Sequence, residues 1–157
     1  MGYIENNDPR KGKVFRILDK DGRVVNKKAE PKLKKEELFR LYEYMILSRA
    51  VDDKAEKLQR SGRMGTFAQT LGQEAQAGVA LAMKKEDWMF PSFRETAALL
   101  LRGMPASHYY TYFMGNEEGN RMPNDVNNFT ISVPVGSQTL HAAGAAWAFK
   151  IRKEKGI

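Results

Sequence analysis

Cysteine is absent from the sequence, which excludes disulfides, thiolate metal centres and cysteine nucleophiles. Histidine is scarce. Of the two present, His108 lies among tyrosines and reads as a packing or surface residue. His141 falls in the first turn of the last expected helix, where a neutral imidazole suits the positive end of the helix dipole. No apolar run reaches the roughly 18–20 residues that a membrane helix requires. The opening M-G-Y-I-E-N-N-D-P-R lacks the apolar core of a secretory signal, so the expected compartment is cytoplasmic. Also missing are G-x-G-x-x-G, the P-loop, G-x-S-x-G and the H-E-x-x-H helix. Dinucleotide-binding, nucleotide-hydrolysing, serine-hydrolase and metalloprotease readings lose their motifs with them.

What is present fits one globular domain: 157 residues, 42% of them hydrophobic and 29% charged. The 26 basic and 19 acidic residues leave a net charge of +7, which raises nucleic-acid binding as an option. The excess gathers at Lys27, Lys28, Lys32, Lys34 and Lys35, and again at Lys150, Arg152, Lys153 and Lys155. Glu30, Glu36, Glu37 and Glu154 interrupt both clusters, and no aromatic-studded basic strand accompanies them. A basic surface meeting an acidic partner subunit explains the balance equally well.

Residues 1–30 read as an N-terminal arm carrying a short hairpin, with the turn at Asp21-Gly22. Residues 31–157 read as the domain proper. A helix is expected over 35–60, ended by Ser61-Gly62. Its apolar stripe is Leu38, Leu41, Tyr42, Met45 and Ile46, at helical spacing. Continued, that stripe meets Arg49, Asp52, Asp53 and Glu56. Arg49 and Asp53 are four apart and can pair, either at a solvated helix end or as a buried ion pair against a neighbouring subunit. Further helices are expected over 71–83, 94–102, 105–114 and 138–153, with a short strand at 88–90. The polar loop 115–128 holds five asparagines and is long enough to suggest a role. The last helix is rich in small residues and suits a parallel sheet, yet few strands are present.

Two backbone-rich segments carry the chemistry. In P-S-F-R-E (91–95) a proline-fixed turn sets Phe93 and Arg94 at an expected helix start, a setting suited to phosphate. In I-S-V-P-V-G-S-Q (131–138) the peptide groups of Val133 and Val135 are two apart in an extended chain, so they face one way. They offer a C=O acceptor and an N–H donor to a heteroaromatic edge, and Pro134 between them stiffens the segment.

These stretches, with L-S-R-A-V-D (47–52), G-R-M-G-T-F-A-Q-T-L-G-Q-E-A (62–75), F-P-S-F-R-E (90–95) and L-L-R-G (100–103), run in order along nearly the whole chain. In them the sequence resembles the N-terminal part of the alpha subunit of thiamine-diphosphate-dependent 2-oxo acid dehydrogenases, of the pyruvate or branched-chain type. The resemblance implies an α/β fold, of which this chain carries the helix-rich N-terminal part of a thiamine-diphosphate-binding domain without most of its parallel sheet.

The resemblance also implies roles. Arg94 binds the diphosphate of thiamine diphosphate. Phe93 stands where the family often has tyrosine and, lacking the hydroxyl, packs against the cofactor. The Val133 carbonyl and Val135 N–H hold the aminopyrimidine edge. Ser132, Ser137 and Gln138 resemble a monovalent-cation site of branched-chain members, and Thr66 replaces an aromatic residue of the substrate pocket. In such enzymes the cofactor carries the decarboxylation, and the acyl unit passes to a lipoyl group. The implied partners are a beta subunit, which supplies the catalytic glutamate, the C-terminal part of the alpha subunit, and a lipoyl acyltransferase core. The family's magnesium ligands include Gly-Asp-Gly, which this sequence lacks; the expectation is therefore a truncated piece, inactive alone. A non-catalytic interaction module derived from the same half-domain is the alternative.

Overall fold

The computed structural model describes residues 8–12 and 14–154, in two units, Met1–Lys34 and Lys35–Ile157. The rest of the expected arm (1–7 and 13) and basic Lys155 lie outside the described residues.

In the first unit a 3-10 turn, Pro9–Lys11, is held by the Arg10 side chain, whose Nε and Nη2 donate to the Asp8 carboxylate at 3.0 and 3.1 Å. Residues 19–23 form a tight turn. The Asp19 carboxylate accepts the N–H groups of Asp21 (2.9 Å) and Arg23 (2.8 Å), and Gly22 takes φ 77°. Such self-bonding is why Asp-x-x-Gly sequences turn. One antiparallel bridge, Leu18 to Val24, follows.

The second unit is helix-rich with little strand: α1 (Lys35–Arg60), α2 (Ala77–Ala82), α3 (Thr96–Leu101), α4 (Ala106–Phe113) and α5 (Ser137–Arg152). The expected helix at 71–83 begins later, as a 3-10 turn Glu74–Gln76 leading into α2. In α1 the buried residues are Ser48, Val51, Asp52 and Ala55, while Leu38, Tyr42 and Ile46 of the expected stripe are exposed. The stripe is rotated because the neighbours of α1 are the alanine-rich α2 and α3. Leu41, Tyr44 and Met45 pack against Ala77, Ala80, Ala97, Ala98 and Leu101, which extends the line 48–51–55 and leaves 38–42–46 outside it.

Arg49 does not pair with Asp53. Its Nε and Nη2 reach Glu74 at 3.0 and 2.8 Å, a partner 25 residues away that helical spacing cannot reveal. The Glu74 carboxyl is held below its ordinary range by its own backbone N–H, that of Gly72 and the Arg49 guanidinium. Asp52 is buried and accepts the Thr70 N–H (2.8 Å) and hydroxyl (3.1 Å), tying the 63–70 loop to α1.

All six residues of α3 are buried, as a helix apolar on every face requires. Its Thr96 hydroxyl donates to the Tyr109 hydroxyl of α4 at 2.7 Å, and Tyr109 donates to the Phe93 carbonyl at 3.3 Å. Tyr109 also stacks edge-on against Phe67 and Phe113 in the main core with Val51, Ala55, Leu99, Leu100 and Met104. Burial pushes its phenol well above the usual range. In the unfolded chain that phenol ionises near its ordinary pKa of about 10; stability is therefore complete below about pH 10 and falls as pH rises beyond it. We predict that melting temperatures decline more steeply between about pH 9.5 and 11.5 for the unsubstituted chain than for Tyr109→Phe, since the variant removes the most buried titrating phenol. Parallel curves would contradict this.

Among the described residues of this unit one bridge stands for a sheet, and it is parallel: Met89 with Asn128. Met89 N–H donates to the Asn127 carbonyl (3.0 Å) and Phe129 N–H to the Met89 carbonyl (2.7 Å). A regular ladder would next use the N–H groups of residues 91 and 131. Residue 91 is proline and has none, and the Pro91 carbonyl is met instead by Ser132 N–H at 3.3 Å. The pairing thus slips by one residue, and Ile131 is turned out of it.

Candidate functional site

The two paired segments run in the same direction, so their C-terminal ends lie together. One leads to Phe93 and Arg94, the other to Val133, Pro134 and Val135. Loops leaving the carboxyl ends of parallel strands are where such folds bind ligands.

On the first arm, the Glu95 carboxylate accepts the N–H groups of Ser92 (2.9 Å) and Arg94 (3.1 Å). The helix starts only at Thr96. The expected helix start at Arg94 is thereby corrected to Thr96: two backbone donors ahead of the helix, the Ser92 and Arg94 N–H groups, are taken by Glu95, and the arm presents the Arg94 side chain to an anion. That guanidinium is exposed, anchored by one N–H to the Gln69 carbonyl, and lies over the Phe93 ring at 5.7 Å. Phe93 is half-buried against the main core, with its carbonyl held by Tyr109. Arg94 lines a cleft of about 500 Å³ with Glu56, Gln59, Arg60, Phe67, Ala68 and Gln69. Arg60 in that cleft pairs with Glu56, whereas Arg94 has no carboxylate partner among the described residues. Val133 and Val135 are not part of this cleft.

On the second arm, the chain is extended only to Val133. Gly136 adopts φ 96°, ψ −20°, and Ser137 N–H donates to the Pro134 carbonyl at 3.2 Å, which defines a type II turn with Val135 at its second position. The expected extended run over 131–138 is corrected to this turn, set by the positive φ that Gly136 accepts without strain. The Val133 carbonyl and the Val135 N–H make no hydrogen bond among the described residues, and these residues are 51% and 85% exposed. The Val133 N–H and Val135 carbonyl likewise make none, while the side chains around them are bonded to one another and to neighbouring backbone. Ser132 and Ser137 hydroxyls meet at 2.9 Å, Ser137 donates to the Pro134 carbonyl at 2.8 Å, and Gly136 N–H donates to Gln138 at 3.0 Å. The Gln138 amide donates to the Ser132 and Pro134 carbonyls.

Neither histidine joins these arms: His108 Nδ1 donates to the Arg121 carbonyl (2.9 Å), and His141 packs on Phe129. Among the described residues no group of three or more Asp, Glu or His side chains is placed to hold a metal ion, and no helix is long and apolar enough to cross a membrane. Thr66 is exposed beside buried Phe67. Three residues that brace the arms were not singled out by sequence: Glu95, Tyr109 and Asn120. The length of the 115–128 loop pointed to the right region, but nothing in it distinguished Asn120 from four other asparagines.

Residues 42–157 match the family model described as "Dehydrogenase E1 component". The chain is similar to the pyruvate dehydrogenase E1 component subunit alpha of Acholeplasma laidlawii, 46% identical over 136 residues, covering 86% of this chain and 39% of that protein. It is likewise similar to the subunit of the same name from Bacillus subtilis strain 168, 36% identical over 145 residues (92% and 39%), and from Staphylococcus aureus strain Mu50, 35% over 155 residues (98% and 42%). It spans about two-fifths of the length of these relatives. With ordered motifs, a parallel pairing that gathers both arms at one edge, and a family match over most of its length, the chain belongs to the dehydrogenase E1 component family.

Proposed function

We propose that this chain supplies the alpha-subunit share of a thiamine-diphosphate site in a pyruvate-type 2-oxo acid dehydrogenase, within the α/β fold of such subunits. The observation that carries this is the pair of unspent peptide groups at Val133 and Val135 on one arm, with a guanidinium lacking a carboxylate partner among the described residues on the other, both leaving the same end of a parallel pair. The residues fit the organic cofactor: an acceptor and a donor for the aminopyrimidine edge, a cation for the diphosphate, and Phe93 as an apolar wall. They do not include a magnesium set, so those ligands, like the catalytic glutamate, come from the rest of the alpha subunit and from a beta subunit. When bound, thiamine diphosphate supplies the carbon that decarboxylates the 2-oxo acid before acyl transfer to lipoyl. This chain's part is to fix the ring's orientation with two immobile peptide dipoles and to neutralise diphosphate charge with Arg94.

The test uses an alpha subunit carrying these 157 residues, assembled with its beta subunit and titrated with magnesium–thiamine diphosphate. Arg94→Ala removes a charged hydrogen-bond donor and is expected to weaken binding about 10- to 100-fold. Val135→Pro deletes one N–H at a turn position that favours proline, and is expected to weaken binding while leaving the melting temperature within about 2 °C. Unchanged affinity in both variants would overturn the assignment. Stable assembly with no cofactor binding or turnover in the unsubstituted enzyme would favour the interaction-module alternative.

A further inference from the structure

Ile131 is the residue that the slipped ladder leaves out. Its N–H and C=O would both be orphaned, yet it is buried. The Asn120 side chain takes their place: Oδ1 accepts the Ile131 N–H at 2.7 Å and Nδ2 donates to the Ile131 carbonyl at 3.3 Å. One amide thus exchanges both bonds with one residue, as a neighbouring strand would. Asn120 is itself buried and is held from behind. It closes the 3-10 turn Glu117–Asn120, whose Gly119 lies so tightly on α4 that an added Cβ would fall 2.1 Å from Tyr112 N. From the same helix, Tyr109 bonds the Phe93 carbonyl. Both arms of the candidate site are therefore braced from α4, one through Tyr109 and the other through Gly119 and Asn120.

We infer that Asn120 is a positioning residue for cofactor binding, which fixes the Val133 carbonyl and Val135 N–H by gripping Ile131 two and four residues upstream of them. This rests on the proposed function for the site that is positioned, but not for the grip itself. A peptide pair held in place binds without first being ordered, so releasing the grip lowers affinity for the ligand part that uses that pair. Arg94 stands on the other arm and does not depend on Asn120.

The experiment is carried out on the assembled enzyme with two ligands, magnesium–thiamine diphosphate and magnesium–pyrophosphate. Asn120→Ala is expected to weaken thiamine diphosphate about tenfold and pyrophosphate less than about twofold, whereas Arg94→Ala weakens both. Without any ligand, amide exchange at Ser132, Val133 and Val135 is expected to quicken about tenfold, with exchange in α1 unchanged. Asn120→Asp retains the acceptor for the Ile131 N–H and is expected to fall between the two. Equal weakening of both ligands, or unchanged exchange at 132–135, would overturn the positioning role, as would unchanged thiamine diphosphate affinity in folded Asn120→Ala. If the unsubstituted enzyme binds neither ligand, the proposed function fails and the positioning role with it; the exchange result then shows whether the grip exists.

Discussion

Gly119→Ala is expected to lower unfolding free energy by about 3 kcal/mol or more, the upper range for overpacking. The new methyl would sit 2.1 Å from Tyr112 N, 2.4 Å from His108 O and 2.8 Å from Thr111 C. All three atoms are main chain of α4, so no side-chain rotation can relieve the clash. The cost is purely steric, because Gly119 is not among the glycines with positive φ. Either the 3-10 turn lifts away, carrying Asn120 off Ile131, or α4 shifts and disturbs Tyr109 in the core. Urea denaturation reads the loss directly, and a change below about 0.5 kcal/mol would contradict the packing described. Gly65→Ala makes a milder comparison, its nearest neighbour being Phe113 O at 3.2 Å.

Arg102→Met is the second large effect, expected to cost about 2–4 kcal/mol. The half-buried guanidinium ties two segments, 84–87 and 127–128, to α3: Nε donates to Asn128 Oδ1 (2.8 Å), Nη1 to the Lys84 carbonyl (3.2 Å), and Nη2 to the carbonyls of Asp87 (2.5 Å) and Asn127 (3.3 Å). Methionine fills similar space but leaves Asn128 Oδ1 and the Lys84 and Asp87 carbonyls without this donor, while the Asn127 carbonyl keeps only the Met89 N–H. Asn128, already buried with Nδ2 unpartnered, would lose its remaining side-chain bond. Arg102→Lys keeps the charge but cannot fork to all four acceptors, and is expected to recover less than half of the loss. Chemical denaturation gives the magnitude. Exchange at the Met89 and Phe129 N–H groups shows whether the parallel pair opens first; protection equal to that of unsubstituted protein would contradict the role of Arg102.

Helix placement was largely legible in the sequence. The 35–60 helix has its stop in Ser61-Gly62, and α3, α4 and α5 each fall within one or two residues of punctuation by Gly103, Pro105 and Gly136. What periodicity could not show was which face of α1 is buried, since α2 and α3 present alanine and accept a line one step round from the larger hydrophobes. Partners distant in sequence were equally hidden. Arg49 finds Glu74, Arg102 finds Asn128, and Asn120 finds Ile131, none at a spacing that a helix or hairpin imposes. At the candidate site, Arg94 and the Val133–Val135 peptide groups were proposed from residue type and family likeness. That Glu95 would take the Ser92 and Arg94 N–H groups and the helix begin only at Thr96, and that Gly136 would convert the extended run into a turn, follows only from the folded backbone.

Helix α5 has no buried residue, and Trp147 on its outer side is 67% exposed, whereas Trp88 is half-buried beneath the helix's other side. Indole emission responds to the polarity around the ring, and these two rings stand in unlike surroundings. The molecule thus carries its own optical gauge: whatever settles on the outer side of α5 dries Trp147, whereas whatever enters the cleft on the other side meets Trp88.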